Sequence, residues 1–146
     1  MLMPNSRLGP RIDLGAVAET VNFSLALVVG KSQINGIVVS SIVERSGLKA
    51  ILEVPEKAGK ALANKPGVVI LDGGPDNRDC DAVLGDIAEH RRASGGKIPL
   101  VILLSTRNVN PEGLPYARAV DAVVAKPFTP ESLQPVVDKL LAQARG

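Results

Sequence analysis

Val68-Val69-Ile70-Leu71-Asp72-Gly73-Gly74-Pro75 is the stretch that decides the fold. Its first four residues are apolar without alternation, the pattern of a short strand covered on both faces, as in a parallel sheet under crossover helices. Two glycines and a proline then end the strand, since neither residue type sustains a ladder. The strand therefore delivers a carboxylate, Asp72, to the mouth of a loop.

Two later strands end on equally polar groups. The run 100–104 closes on Ser105, and Val123-Val124-Ala125 is followed by Lys126-Pro127-Phe128. Upstream, Leu25-Ala26-Leu27-Val28-Val29 ends in Gly30-Lys31. Apolar runs alternate with amphipathic stretches from Leu25 onward, which predicts an open α/β sheet. In such a sheet the carboxyl ends of the strands share one crevice, so Asp72, Ser105 and Lys126 are expected to converge there.

Helical stretches fill the intervals. The first is predicted over 33–46, with Ile34, Ile37, Val38 and Ile42 inward and Gly47 as its C-terminal cap. A second strand falls within 48–54. A short helix over 55–64 turns Ala58, Ala61 and Leu62 inward. Asp79 or Asp81 caps a helix reaching Ala93, burying Val83, Leu84, Ile87 and Ala88. Ser94-Gly95-Gly96 ends it, and the next strand spans 98–104. A poor helix over 111–119 is broken by Gly113 and Pro115. Thr129-Pro130 opens the last helix, which carries Leu133, Val136, Val137, Leu140 and Leu141; Pro135 should disturb its early turns. Residues 1–24 form an extension in which Leu14, Val17, Ala18 and Val21 would line one face of a short helix over 13–21. Residues 25–146 form the single domain.

Composition narrows the functions. With 146 residues, 45% hydrophobic and 22% charged, the chain can bury one sizeable core. Aromatics make up only 2%, which counts against stacking platforms for single-stranded nucleic acid, and the net charge of +2 is too small for a DNA footprint. No apolar run spans a membrane and the start lacks a signal peptide, so a cytoplasmic protein is expected. The lone Cys80 excludes an internal disulfide, and with the lone His90 it would make at best a weak metal site. Gly30-Lys31-Ser32 imitates the end of a phosphate-binding P-loop, but that motif needs glycine where Leu25 stands.

Over roughly residues 25–143 the chain resembles the receiver domain of two-component response regulators. The most specific piece is Val123 to Thr129, similar to the fifth strand and Lys-Pro loop of that family. The resemblance implies a five-stranded parallel sheet in the order 2-1-3-4-5 (the doubly wound, flavodoxin-like arrangement) and a cis Lys126-Pro127 peptide. It also implies roles: Asp72 as phosphoacceptor, Ser105 as switch hydroxyl (Thr106 if the strand slips by one residue), and Lys126 as the phosphate-binding lysine. Its partners would be a histidine kinase, a phosphotransfer protein or another signalling protein.

The departures from the family pattern carry as much information. An acidic pair normally follows the first strand and holds magnesium; here Gly30 and Lys31 occupy those places. Magnesium needs oxygen ligands, so with Asp72 alone the metal is expected to bind poorly and phosphoryl transfer to slow severely. No other cofactor is implied. Lys31 either reaches Asp72 and replaces part of the metal's charge or points to solvent at the rim. Aspartates at both Gly30 and Lys31 would restore three carboxylates. Val123 stands where active receivers carry a signalling aromatic, and the loop after Asp72 is one residue short before its proline. These features predict a stand-alone, non-enzymatic receiver acting by protein contact, through the helix over 111–119 with the last strand and helix, or through the extension; a homodimer is possible. The alternatives are a working phosphoacceptor in a phosphorelay and a small flavodoxin-like nucleotide- or flavin-binding protein.

Overall fold

Alternate residues of the central strands feed two separate cores, and that division sets the architecture. The computed structural model describes residues 22–74, 79–93, 99–105 and 119–145. The strands are β1 (Asn22–Val29), β2 (Lys49–Glu53), β3 (Pro66–Asp72), β4 (Leu100–Ser105) and β5 (Ala122–Ala125). They form one parallel sheet in the order β2-β1-β3-β4-β5. The helices are α1 (Gln33–Arg45), α2 (Ala58–Ala61, flanked by short 3-10 turns), α3 (Asp81–Ala93) and α4 (Pro130–Arg145).

Leu27, Val29, Val69, Leu71, Val101 and Leu103 pack with Ala58, Leu62, Val83, Leu84 and Ile87 under α2 and α3. Ala26, Val28, Val68, Ile70, Ile102 and Leu104 pack with Val39, Ile42, Val43, Leu133 and Val137 under α1 and α4. Every residue of β3 is buried, so its unbroken apolar run is the signature of the sheet's covered centre.

Among the described residues the strand and helix expectations hold with three differences of substance. β1 begins at Asn22, so residues 22–24 belong to the sheet rather than to an extension. Helix α4 passes through Pro135 unbroken. Pro135 is exposed, so the backbone carbonyl left without its donor faces water rather than the core. Thr129 and Ser132 cap this helix reciprocally, Oγ1 of Thr129 accepting from the Ser132 N–H at 3.2 Å and Oγ of Ser132 from the Thr129 N–H at 2.8 Å.

The third difference is the phase of α1. Its inward residues are Val39, Ile42 and Val43, while Ile34, Ile37 and Val38 face outward, Ile34 being 76% exposed and Ile37 58%. One close approach on the inward side is at Gly36. A β-carbon there would lie 3.0 Å from Leu52 Cδ2, so the glycine lets α1 settle against β2 on this side. Gly47, at φ 88°, ends the helix as expected, its N–H and that of Leu48 closing on Glu44 and Val43 carbonyls.

Opposite the crevice end, α3 is tied to the sheet. Buried Arg91 donates through Nε and Nη2 to the Pro99 carbonyl at 3.1 and 2.9 Å and pairs with Asp121. Asp121 Oδ2 also accepts the Val101 N–H at 2.7 Å. The helices expected over 13–21 and 111–119, the Ser94-Gly95-Gly96 turn, Pro75 and Thr106 lie outside the described residues.

Candidate functional site

The carboxyl ends of β1, β3, β4 and β5 meet at Asp72, as the topology requires. Lys126 Nζ donates to Asp72 Oδ1 at 2.6 Å, and the Gly74 N–H donates to the same oxygen at 3.0 Å. Asn35 Nδ2 donates to Oδ2 at 3.0 Å. Each carboxylate oxygen thus accepts at least one hydrogen bond from within the protein. Burial works against the charged form of Asp72 and is the largest single influence. The hydrogen bonds from Lys126, Asn35 and Gly74, with the Lys126 charge, together outweigh it and hold the carboxyl below the usual carboxylate range.

Local sequence explains each placement. Lys126 follows β5 directly, its N–H bonded to the Ser105 carbonyl at 2.8 Å, and the Lys126-Pro127 peptide is cis. Gly74 adopts φ 73°, and a β-carbon there would stand 2.1 Å from Asp79 Oδ2, so only glycine turns the loop back onto Asp72. Ser32 caps α1, its Oγ accepting the Asn35 N–H at 3.2 Å, which fixes the first turn with the Asn35 side chain toward the sheet.

Ser105 also lies at this end, one register step beyond the Asp72–Leu104 pair and opposite Ala125. Its side chain is fully buried, at 0% exposure. Pro127 is exposed at the outer lip, where it lines a groove of about 570 Å3 with Val38 and Phe128. The crevice itself, about 580 Å3, is walled by Lys31, Ser32, Asn35, Asp79 and Lys126 around Asp72.

Lys31 does not reach Asp72. Its ammonium lies 3.7 Å from Asp79 Oδ1 and its side chain is 58% exposed, so the rim alternative is the correct one. The cation beside Asp72 is Lys126, which already occupies the space. Gly30 is held by steric need: a β-carbon there would stand 2.9 Å from Asp72 Cβ. Aspartate at Gly30 therefore cannot simply be added, contrary to the expectation that two new aspartates restore a metal site.

Asn35 is the site residue that sequence reasoning missed. The signal was present in Ser32, because an N-cap there places Asn35 at the third helical position, facing the strand ends. Cys80 is buried, its Sγ donating to the Asp72 carbonyl at 3.3 Å, while His90 is exposed near the far end of α3. The weak Cys80–His90 metal site is therefore not formed.

The donor set does not suit magnesium. Gly30 and Lys31 offer no side-chain oxygen, both Asp72 oxygens accept from the protein, and Asp79 is paired with Lys31. Among the described residues, no group of three His, Cys, Asp or Glu is placed to hold a metal ion. Nor, among them, is any helix long and apolar enough to cross a membrane.

No protein-family model matches the chain, and no curated protein matches it. Solved structures do. A response regulator from Thermotoga maritima superposes with a TM-score of 0.64 at 21% identity, over 83% of this chain and 99% of its own. Chemotaxis protein CheY4 of Vibrio cholerae gives 0.63 at 20% identity, over 81% and 98%. The pseudo-receiver domain of the CikA protein gives 0.59 at 23% identity, over 82% and 97%. The chain has the fold of response-regulator receiver domains, the doubly wound parallel arrangement that its sequence predicts.

Proposed function

We propose that this chain is a receiver-type signalling module of two-component systems that works in the cytoplasm by protein contact, is not an enzyme, and is impaired in magnesium-dependent phosphorylation. The observation that carries this reading is the internal satisfaction of Asp72. Lys126 and Gly74 donate to one oxygen and Asn35 to the other, so an incoming metal ion or phosphoryl group competes with three internal donors. Phosphoryl transfer rests on positioning and charge neutralisation, and the residues that would bring a metal are a glycine and a rim lysine. The similarity to a pseudo-receiver domain supports the same reading.

A contact role is supported by the distribution of exposed apolar side chains. Ile34, Ile37 and Val38 on α1 and Leu52 and Val54 at the end of edge strand β2 are the large exposed hydrophobics among the described residues. Such a cluster marks a protein-binding surface more readily than a solvated face. A histidine kinase, a phosphotransfer protein or another signalling protein is the partner class.

The test is incubation with a small phosphodonor such as acetyl phosphate, read by intact mass with and without magnesium. No phosphoryl adduct is expected in either condition. A stoichiometric, magnesium-dependent adduct lost in Asp72→Asn would replace this reading with a working phosphorelay acceptor. Absorbance in the flavin bands of the purified protein would replace it with a flavodoxin-like carrier.

A further inference from the structure

Among the described residues, Asn35 is a side-chain donor to Asp72 that neither the strand ends nor the Lys-Pro loop accounts for. It sits on the first turn of α1, 37 positions from Asp72 in sequence, with its Nδ2 at 3.0 Å from Oδ2. Ser32 caps the same turn through the Asn35 backbone N–H, and the side-chain amide is held by its own bond to Asp72. An ionised carboxylate only accepts hydrogen bonds, so the amide must turn its hydrogens, the positive end of its dipole, toward Asp72.

We infer that Asn35 stands in for the missing cation: it holds the second Asp72 oxygen and so keeps divalent ions out of the crevice. The inference rests on the metal-free reading above and assigns its cause to one side chain. A cation approaching Oδ1 meets the like-charged ammonium of Lys126, and one approaching Oδ2 meets these amide hydrogens. Lys31 lines the same crevice but pairs with Asp79 rather than with Asp72. Nor is the position of Gly30 a free vacancy for a ligand, since its β-carbon would collide with Asp72.

Asn35→Asp changes the chemistry with almost no change in volume. It places a second carboxylate opposite Oδ2, with Asp79 lining the same crevice. Two such carboxylates repel unless a hard cation sits between them. Asn35 is thus a positioning residue, and its replacement is what should open the site.

The experiment titrates manganese chloride into the full chain and counts free ion by paramagnetic resonance, for the wild type, Asn35→Asp and Lys31→Asp. Asn35→Asp is expected to bind manganese at least about tenfold more tightly than the wild type, and Lys31→Asp to change little. In parallel, Asn35→Ala is expected to raise the Asp72 titration, followed by carboxyl-carbon NMR, by about one pH unit, the effect of losing one hydrogen bond to a charged group. That measurement stands even if Asn35→Asp folds only with metal. Tight manganese binding by the wild type overturns both this inference and the metal-free reading. A silent wild type with Asn35→Asp no tighter, with Lys31→Asp tighter instead, or with Asp72 unmoved in Asn35→Ala, overturns this inference alone.

Discussion

Lys126 donates to Asp72 across 2.6 Å with both side chains largely withdrawn from water. Breaking one half of such a pair leaves the other charge desolvated and unmatched. Lys126→Met is therefore expected to destabilise the fold at neutral pH by about 2–4 kcal/mol, between the cost of losing an exposed pair and that of losing a fully buried one. Urea unfolding at pH 7 measures it. A loss below about 0.5 kcal/mol, the range of ordinary surface substitutions, would mean that the pair contributes nothing to stability.

The same contacts fix a pH dependence. Burial raises the Asp72 pKa, but Lys126, Asn35 and Gly74 pull it below its unfolded value of 3.8. A group depressed in the folded state contributes stability above its unfolded pKa and loses it as pH falls through the folded one. Stability should thus be flat with respect to this group above about pH 5 and fall as the solution is acidified below about pH 4. Asp72→Asn should flatten that acid limb. An unchanged acid limb in Asp72→Asn would assign it to other carboxylates.

What the sequence disclosed and what it hid divide along physical lines. A strand covered on both faces shows itself as an unbroken apolar run, so β3 and the placement of Asp72 at its end were legible, and with them the approach of Lys126. Helix phase was not legible in α1, because Ile34, Ile37, Val38, Val39, Ile42 and Val43 leave apolar residues on most of its circumference. A stripe through Ile34, Ile37, Val38 and Ile42 fits the period as well as the true one. That stripe took no account of Asn35, the residue that completes the site, although it lies seven residues before Ile42 on the same side of the helix. Lys31 misled for a different reason: adjacency to Gly30 in sequence says nothing about which carboxylate a long flexible side chain finds, and Asp79 is nearer.

The phase of α1 can be measured directly. Ile42 is 1% exposed, so Ile42→Ala should cost about 2–5 kcal/mol by removing buried volume. Ile34→Gln and Ile37→Gln, on the outward face, should change stability by no more than about 0.5 kcal/mol. Chemical denaturation of the three variants separates the faces. Equal losses at Ile34 and Ile42 would return the helix to the other phase.

Gly30 gives a steric prediction. The atom its β-carbon would meet at 2.9 Å is Asp72 Cβ, close to the backbone of the central strand and unable to swing aside. Gly30→Ala should therefore cost about 1–3 kcal/mol by overpacking. Gly30→Asp with Lys31→Asp should be less stable still and should gain no magnesium binding at low millimolar concentration while Asn35 is in place. Thermal melting with and without magnesium reads both quantities. A magnesium-dependent rise in Tm for the double variant would show that the crevice yields more easily than the glycine contact implies.

Cys80 tests the packing beneath the crevice without touching its charges. The thiol is 2% exposed and donates to the Asp72 carbonyl. Burial, followed by the charges of Asp72, Asp79 and Asp81, pushes its pKa up to about 12, with Lys126 pulling weakly the other way. Only the thiolate attacks a disulfide reagent, and with that pKa about one molecule in ten thousand carries it at pH 8. Access and ionisation both oppose reaction in the folded state, whereas an unfolded cysteine near its ordinary pKa reacts readily. Labelling by an aromatic disulfide at pH 8 should therefore be very slow in buffer and should accelerate along the urea unfolding curve. Stoichiometric labelling within minutes in the absence of urea would mean that the packing over Cys80 opens without global unfolding.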